Sequence, residues 1–159
     1  MKGAKKYTPE EAMQYAAGLC ATSEQCEFDV LRKLALHGVC GADAERIINY
    51  LYDHSFLDER RFASAFARDK ARFSRWGRIK IRMALAARKV SSDSISEGID
   101  SIDMEDYLGG LQKMVGQYAS KENLHERNSR LKLLRRLSAR GFELSLINRA
   151  IDKELSEEE

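Results

Sequence analysis

A chain of 159 residues holds one ordinary domain or a string of small repeats sharing a core, and 43% apolar residues suffice for burial. No signal peptide appears, and no apolar run approaches the ~20 residues needed to cross a bilayer, so the sequence points to a cytoplasmic protein without a membrane partner. The net charge of +2 excludes little by itself, but its distribution is uneven. Residues 1–59 carry six Lys/Arg and ten Asp/Glu, and residues 60–89 carry eleven and one. Residues 90–126 carry two and eight, 127–149 seven and one, and 150–159 one and five. Two positive blocks separated by an acidic one read as two contact surfaces.

A single proline, ten glycines and few alternating β-branched runs predict an all-α chain. Near the start, Thr8-Pro9-Glu10-Glu11 supplies an N-cap, a proline at the first helical position and a capping-box glutamate. Three later segments then align: VLRKLALHGVCGADAERII (30–48), IRMALAARKVSSDSISEGI (81–99) and LLRRLSARGFELSLINRAI (133–151), offset by 51 and 52 residues. Val30, Ile81 and Leu133 correspond, as do Leu34, Leu85 and Leu137. Ala44, Ile95 and Ile147 follow, and then Ile48, Ile99 and Ile151. Each segment reads as a helix, a short turn and a second helix. Gly38 and Gly141 stand where a helix end favours the left-handed conformation. Lys89 occupies that place in the middle segment, so its turn must differ or carry strain. Ser94 and Glu97 are candidates for a capping box on the helix that follows.

After the first repeat comes FLDERRFASAF (56–66). Asp58 suits an N-cap and Glu59 the positive end of a helix dipole, while Phe62, Phe66 and Phe73 are expected to share a buried face. Adjacent carboxylates on a helix point about 100° apart, which does not aim them at one substrate. The middle repeat has its own third helix, DMEDYLGGLQKMVGQYA (103–119), with Gly109-Gly110 as a candidate bend. The last repeat ends after two helices. The expected architecture is therefore an elongated array of tandem three-helix repeats, the last incomplete. Its boundaries are an N-terminal helix in 1–23, repeats in 24–74 and 75–122, and a truncated repeat with an acidic tail in 123–159.

Helical wheels place Lys132, Arg135, Arg136 and Arg140 opposite the leucine arc of the third repeat, with Lys80 and Arg88 at matching outward positions in the second. Arg68, Lys70, Arg72, Arg75 and Arg78 run from one repeat into the next. With Phe73 and Trp76 among them, such a tract is able to follow a phosphate backbone and stack a base. The plainer alternative keeps both aromatics in the core, and the balance favours it for them while favouring nucleic acid for the arginines. The acidic stretch 93–106 is either a protein-facing surface or a solvated helix face. Cys20, Cys26 and Cys40 lack metal-ligand spacing and read as reduced thiols. His37, His54 and His125 are scattered. No phosphate loop, GxSxG or HExxH occurs, so neither an enzyme nor a cofactor or metal is expected.

The string FLDERRFASAFARDKARFSRWGRIKIRMAL resembles the central signature of the RecX family of bacterial recombinase regulators. Leu57, Asp58, Glu59, Phe62, Ala63 and Gly77 occupy the signature's places. RLKLLRRLSARGFELSLINRAI resembles the family's last repeat, with Arg140-Gly141-Phe142 at its turn. The resemblance covers approximately residues 24–155 and departs at Lys89 and at the missing third helix after the last unit. It implies a non-enzymatic protein that binds RecA–DNA filaments and modulates, usually inhibits, the recombinase. The implied partners are the RecA filament and single-stranded DNA, with duplex DNA a further candidate and a monomer as the assembly state. Charge geometry nominates Arg68, Arg72, Arg75, Arg78, Lys80, Arg88, Lys89, Lys132, Arg135, Arg136 and Arg140 as DNA or filament contacts. Asp58, Phe62, Phe66, Gly77 and Gly141 are nominated as structural residues. An autonomous helical DNA-binding module and a protein-only helical scaffold are the competing readings.

Overall fold

The computed structural model describes residues 3–158, so Glu159 of the expected acidic tail lies outside the described residues. These residues form nine helices and no strand. They are α1 (Pro9–Thr22), α2 (Glu27–Leu36), α3 (Gly41–Asp53), α4 (Glu59–Arg72), α5 (Arg78–Ala87), α6 (Ser92–Asp100), α7 (Met104–Ala119), α8 (Arg127–Ala139) and α9 (Leu144–Glu157). Local chemistry explains most of the starts. The Thr8 side chain accepts from the Glu11 N–H while Glu11 reaches back to the Thr8 N–H, a complete capping box with Pro9 behind it. Asp58 accepts from the Arg61 N–H at 3.0 Å and so opens α4, as expected of a helix start. Helix α6 departs from expectation: Ser91, not Ser94, is its N-cap, and Ser94 is the residue whose N–H it receives. Ser94 is buried inside the helix, and Glu97 pairs instead with Arg60.

All twelve aligned apolar positions of the repeat are buried: Val30, Ile81, Leu133, Leu34, Leu85, Leu137, Ala44, Ile95, Ile147, Ile48, Ile99 and Ile151. The three turns are also superimposable in their bonding. The N–H groups of Val39, Val90 and Phe142 donate to the carbonyls of Leu34, Leu85 and Leu137 at 3.0, 3.2 and 3.2 Å. The preceding residue is left-handed each time: Gly38 at φ 76°, Lys89 at φ 58° and Gly141 at φ 94°. Lys89 therefore keeps the common turn and carries the strain.

The helices group by packing as α1–α3, α4–α6 and α7–α9. Helix α4 lies mainly on α6 and α5, where Gly98 allows the α6 backbone to approach Ala63 closely. We accordingly draw the unit boundaries before α4 and α7, one helix earlier than the sequence spacing places them, because each repeated pair closes over the helix preceding it. Two apolar cores result. One joins α1–α3 and includes Ala12, Val30, Leu34, Ile47 and Leu51; the other runs through α4–α9 and includes Phe62, Ile81, Leu85, Tyr107, Leu111, Leu133 and Ile147. The array exposes 10100 Å², against roughly 8,100 Å² for a compact monomer of this size. That excess fits an elongated stack. Phe73 is a correction to the expected buried face: Phe62 is buried and Phe66 half-buried, but Phe73 is 75% exposed because it lies beyond the last turn of α4. Trp76 is half-buried. Helix α7 runs through Gly109 and Gly110 as one uninterrupted α-helix.

Candidate nucleic-acid interface

The nominated cations separate into two groups by what their side chains touch. Arg140 donates from Nε to the Arg75 carbonyl at 3.1 Å and from Nη2 to the Ser74 carbonyl at 2.5 Å, gripping the α4–α5 loop from the turn between α8 and α9. At the same joint the Gly77 N–H donates to the Arg140 carbonyl at 2.7 Å and the Ile79 N–H to the Gly141 carbonyl at 3.0 Å. The backbones meet so closely that a Cβ built on Gly77 would overlap the Gly141 carbonyl carbon, and one on Gly141 would overlap Lys80. Gly77 has φ −75°, so contact rather than dihedral freedom demands glycine there.

Arg78 and Glu143 complete the joint. Arg78 Nε donates to Glu143 Oε1 at 2.5 Å, and the Tyr107 hydroxyl accepts from the Arg78 N–H at 3.0 Å while donating to Glu143 Oε2 at 2.8 Å. Burial pushes the Tyr107 hydroxyl well above its ordinary pKa, with Glu143 adding to the effect, so it remains a donor near neutral pH. Arg75 is left-handed at φ 52° and approaches Asp106 at 3.6 Å, its guanidinium lying against Gly110. Arg88 ties the second unit to the first. Its Nε donates to Asp29 Oδ2 on α2 at 3.1 Å, and its head lies 5.0 Å from the Phe66 centroid. Arg75, Arg78, Arg88 and Arg140 are thus half-buried and engaged in holding units together.

The second group points outward. Arg68, Arg72, Lys89, Lys132, Arg135 and Arg136 are exposed, and Lys80 is half-exposed. None of them forms an ion pair among the described residues. Lys70 and Arg82, which the charge geometry did not nominate, share this property. Lys80 Nζ and Lys70 Nζ lie 4.4 and 4.7 Å from the Trp76 ring centroid, covering it from α5 and α4. Arg72 lies 5.6 Å from the Phe73 centroid, and Arg136 lies 5.4 Å from the Tyr118 centroid. Part of the acidic stretch 93–106 is engaged by the chain's own groups while still exposed: Glu97 pairs with Arg60, Asp103 caps α7 and Asp106 meets Arg75. The described residues contain no group of three or more His, Cys, Asp or Glu suited to a metal ion and no helix long and apolar enough to cross a membrane. The geometry of this second group is thus one of exposed or half-exposed cationic heads set beside the Trp76, Phe73 and Tyr118 rings.

Similarity to known proteins accords with this arrangement. A family model described as "RecX, second three-helix domain" matches residues 58–99, which span α4–α6 and coincide with the packing unit. The Regulatory protein RecX of Thermus thermophilus is 30% identical over 136 residues, covering 86% of this chain and 87% of that protein. The chain belongs to the RecX family. It is a member of a family of regulatory proteins. The RecX of Xanthomonas citri is 26% identical over 149 residues, covering 94% of this chain and 91% of its own length. In fold, the crystal structure of RecX from Lactobacillus salivarius superimposes with a TM-score of 0.77 at 17% identity, covering 92% of this chain and 96% of that one.

Proposed function

We propose that this RecX-family chain regulates a RecA-type recombinase in the bacterial cytoplasm. It does so by lying along the recombinase–DNA filament and restraining it, without chemistry of its own. The observation that carries the reading is the division among the cations. Arg75, Arg78, Arg88 and Arg140 join successive units, while Arg68, Arg72, Lys80, Lys89, Lys132, Arg135 and Arg136, joined by Lys70 and Arg82, have no ion-pair partner among the described residues and lie on two of those units. An extended array with separated basic surfaces suits a periodic polyanionic partner, since each surface adds an intramolecular contact once the first is made. We assign inhibition as the direction, because a bridge between filament subunits opposes the rearrangements that accompany nucleotide turnover.

The test is the single-stranded-DNA-dependent ATPase rate of RecA with this protein titrated in. The expected result is a fall at substoichiometric protein that is relieved when Lys132, Arg135 and Arg136 are reversed to glutamate. An unchanged rate on filaments confirmed by microscopy would overturn the proposal.

A further inference from the structure

Phe73 is the most exposed of the large apolar side chains among the described residues, at 75%. A lone exposed apolar residue is ordinary; its company is not. It sits at the end of α4 with Arg72 at 5.6 Å from its ring, and with Lys70 it edges a cleft that also touches Phe62, Phe66, Asp69 and Ser74. Behind that edge the rings of Phe62, Phe66 and Trp76 follow one another at 5.6 and 6.4 Å between centroids, with Lys70 and Lys80 over the tryptophan.

We propose that Phe73 is a stacking platform for an unpaired nucleobase, with Lys70 and Arg72 taking the flanking phosphates. The α4–α5 junction would then grip single-stranded nucleic acid. A single strand fits better than a duplex because paired bases hide their faces, whereas every unpaired base offers one to a ring. It also fits better than a protein partner. A protein hot spot wants a contiguous apolar surface, but Phe73 is bordered in sequence by Arg72 and Ser74 and shares its cleft edge with Lys70 and Asp69. Of the eleven cations in residues 60–89, Arg68, Lys70, Arg72, Lys80, Arg82 and Lys89 have no carboxylate partner among the described residues, and they outnumber the two carboxylates at the cleft, Asp69 and the Arg61-paired Glu24, so the electrostatic field around Phe73 favours a polyanion. This inference deepens the filament-regulator reading and rests on it for the setting in which a single strand is met.

The test uses the full chain and a fluorescein-labelled oligothymidylate, read by anisotropy at fixed low salt. Phe73→Ala is expected to weaken binding roughly tenfold, the order that loss of one base–aromatic stack produces. Phe73→Leu is expected to weaken it comparably, and Phe73→Trp to retain it. In a Trp76→Phe background, the fluorescence of Phe73→Trp is expected to be quenched on adding oligothymidylate. An unchanged affinity for Phe73→Ala, or full retention by Phe73→Leu, would overturn the proposal. Weakened binding to the recombinase filament at unaltered oligonucleotide affinity would also overturn it and make Phe73 a protein contact. A wild-type chain that binds no oligothymidylate yet slows the recombinase removes the stacking proposal alone. Binding through Phe73 with no effect on the ATPase removes the regulator reading alone.

Discussion

Lys89 shows what a repeat can impose on one residue. The backbone of its turn is bonded as in the Gly38 and Gly141 turns, so a lysine takes φ 58° because Val90 must reach the Leu85 carbonyl and remain buried. A residue with a Cβ in the left-handed region costs about 1–2 kcal/mol, part of which glycine would return as added freedom of the unfolded chain. Lys89→Gly is therefore expected to raise stability by about 1 kcal/mol, a melting shift of roughly 2–4 °C for a chain of this length. Thermal unfolding without nucleic acid checks it, and an unchanged or lower midpoint would mean that the turn is not strained. This strain was legible in the sequence because the alignment of three turns set a lysine against two glycines. The exposure of Phe73 was not, since a helical wheel continues past the residue where α4 stops.

At the scale of elements, the helix–turn–helix pairs were readable from their 51- and 52-residue offsets, and the apolar positions chosen that way are all buried. The phase of the units was not readable. A period gives the distance between equivalent residues, not which neighbouring helix each pair closes upon. The role of the arginines was hidden for a related reason: Arg78 and Glu143 lie 65 positions apart, and so do Arg140 and Arg75. On a wheel, a cation facing another unit looks the same as one facing solvent. Helix α7 offers a direct test of such a hidden contact. A Cβ at Gly109 would meet open space, so Gly109→Ala should stabilise by about 1 kcal/mol through helix propensity. A Cβ at Gly110 would overlap the Arg75 guanidinium, whose Nη1 is buried without a hydrogen-bond partner among the described residues. Gly110→Ala should therefore gain clearly less than Gly109→Ala, and the two should converge when Arg75 is also alanine. Denaturant titrations of the double-mutant cycle measure that coupling, expected at about 0.5–1 kcal/mol. Equal gains in the wild-type background would show that Arg75 does not rest on α7.

The whole molecule is two apolar cores on one chain, with ten buried apolar residues in the α1–α3 core and twenty-one in that of α4–α9. Between them run Leu57-Asp58, the Arg88–Asp29 and Arg61–Glu24 pairs, and Cys26, which starts α2 yet is buried in the larger core. A cleft of about 380 Å³ opens at the same place, lined by Cys26, Tyr52, Arg88 and Lys89 among others. Nearest-neighbour coupling across so sparse a joint is weaker than coupling within either core, so urea should unfold the first unit before the rest. Trp76, the one tryptophan, reports on the α4–α9 body, while far-ultraviolet circular dichroism reports on every helix. The dichroism transition is expected to begin at lower urea than the tryptophan transition, with Arg88→Ala widening the interval. Cys26 supplies an independent signal. Burial pushes its thiol up to about 11 from an ordinary 9.0, so at pH 8 it stays protonated and shielded, while exposed Cys40 reacts at once with a thiol reagent. A neutral thiol with a raised pKa favours the folded joint fully below pH 9, and that contribution is lost as pH climbs from 9 towards 11. Cys26 labelling should therefore follow the earlier transition and accelerate above pH 9 beyond the rise due to thiolate formation in unfolded chain. Superimposed transitions, with Cys26 labelling only at the global midpoint, would instead make all three units one cooperative body.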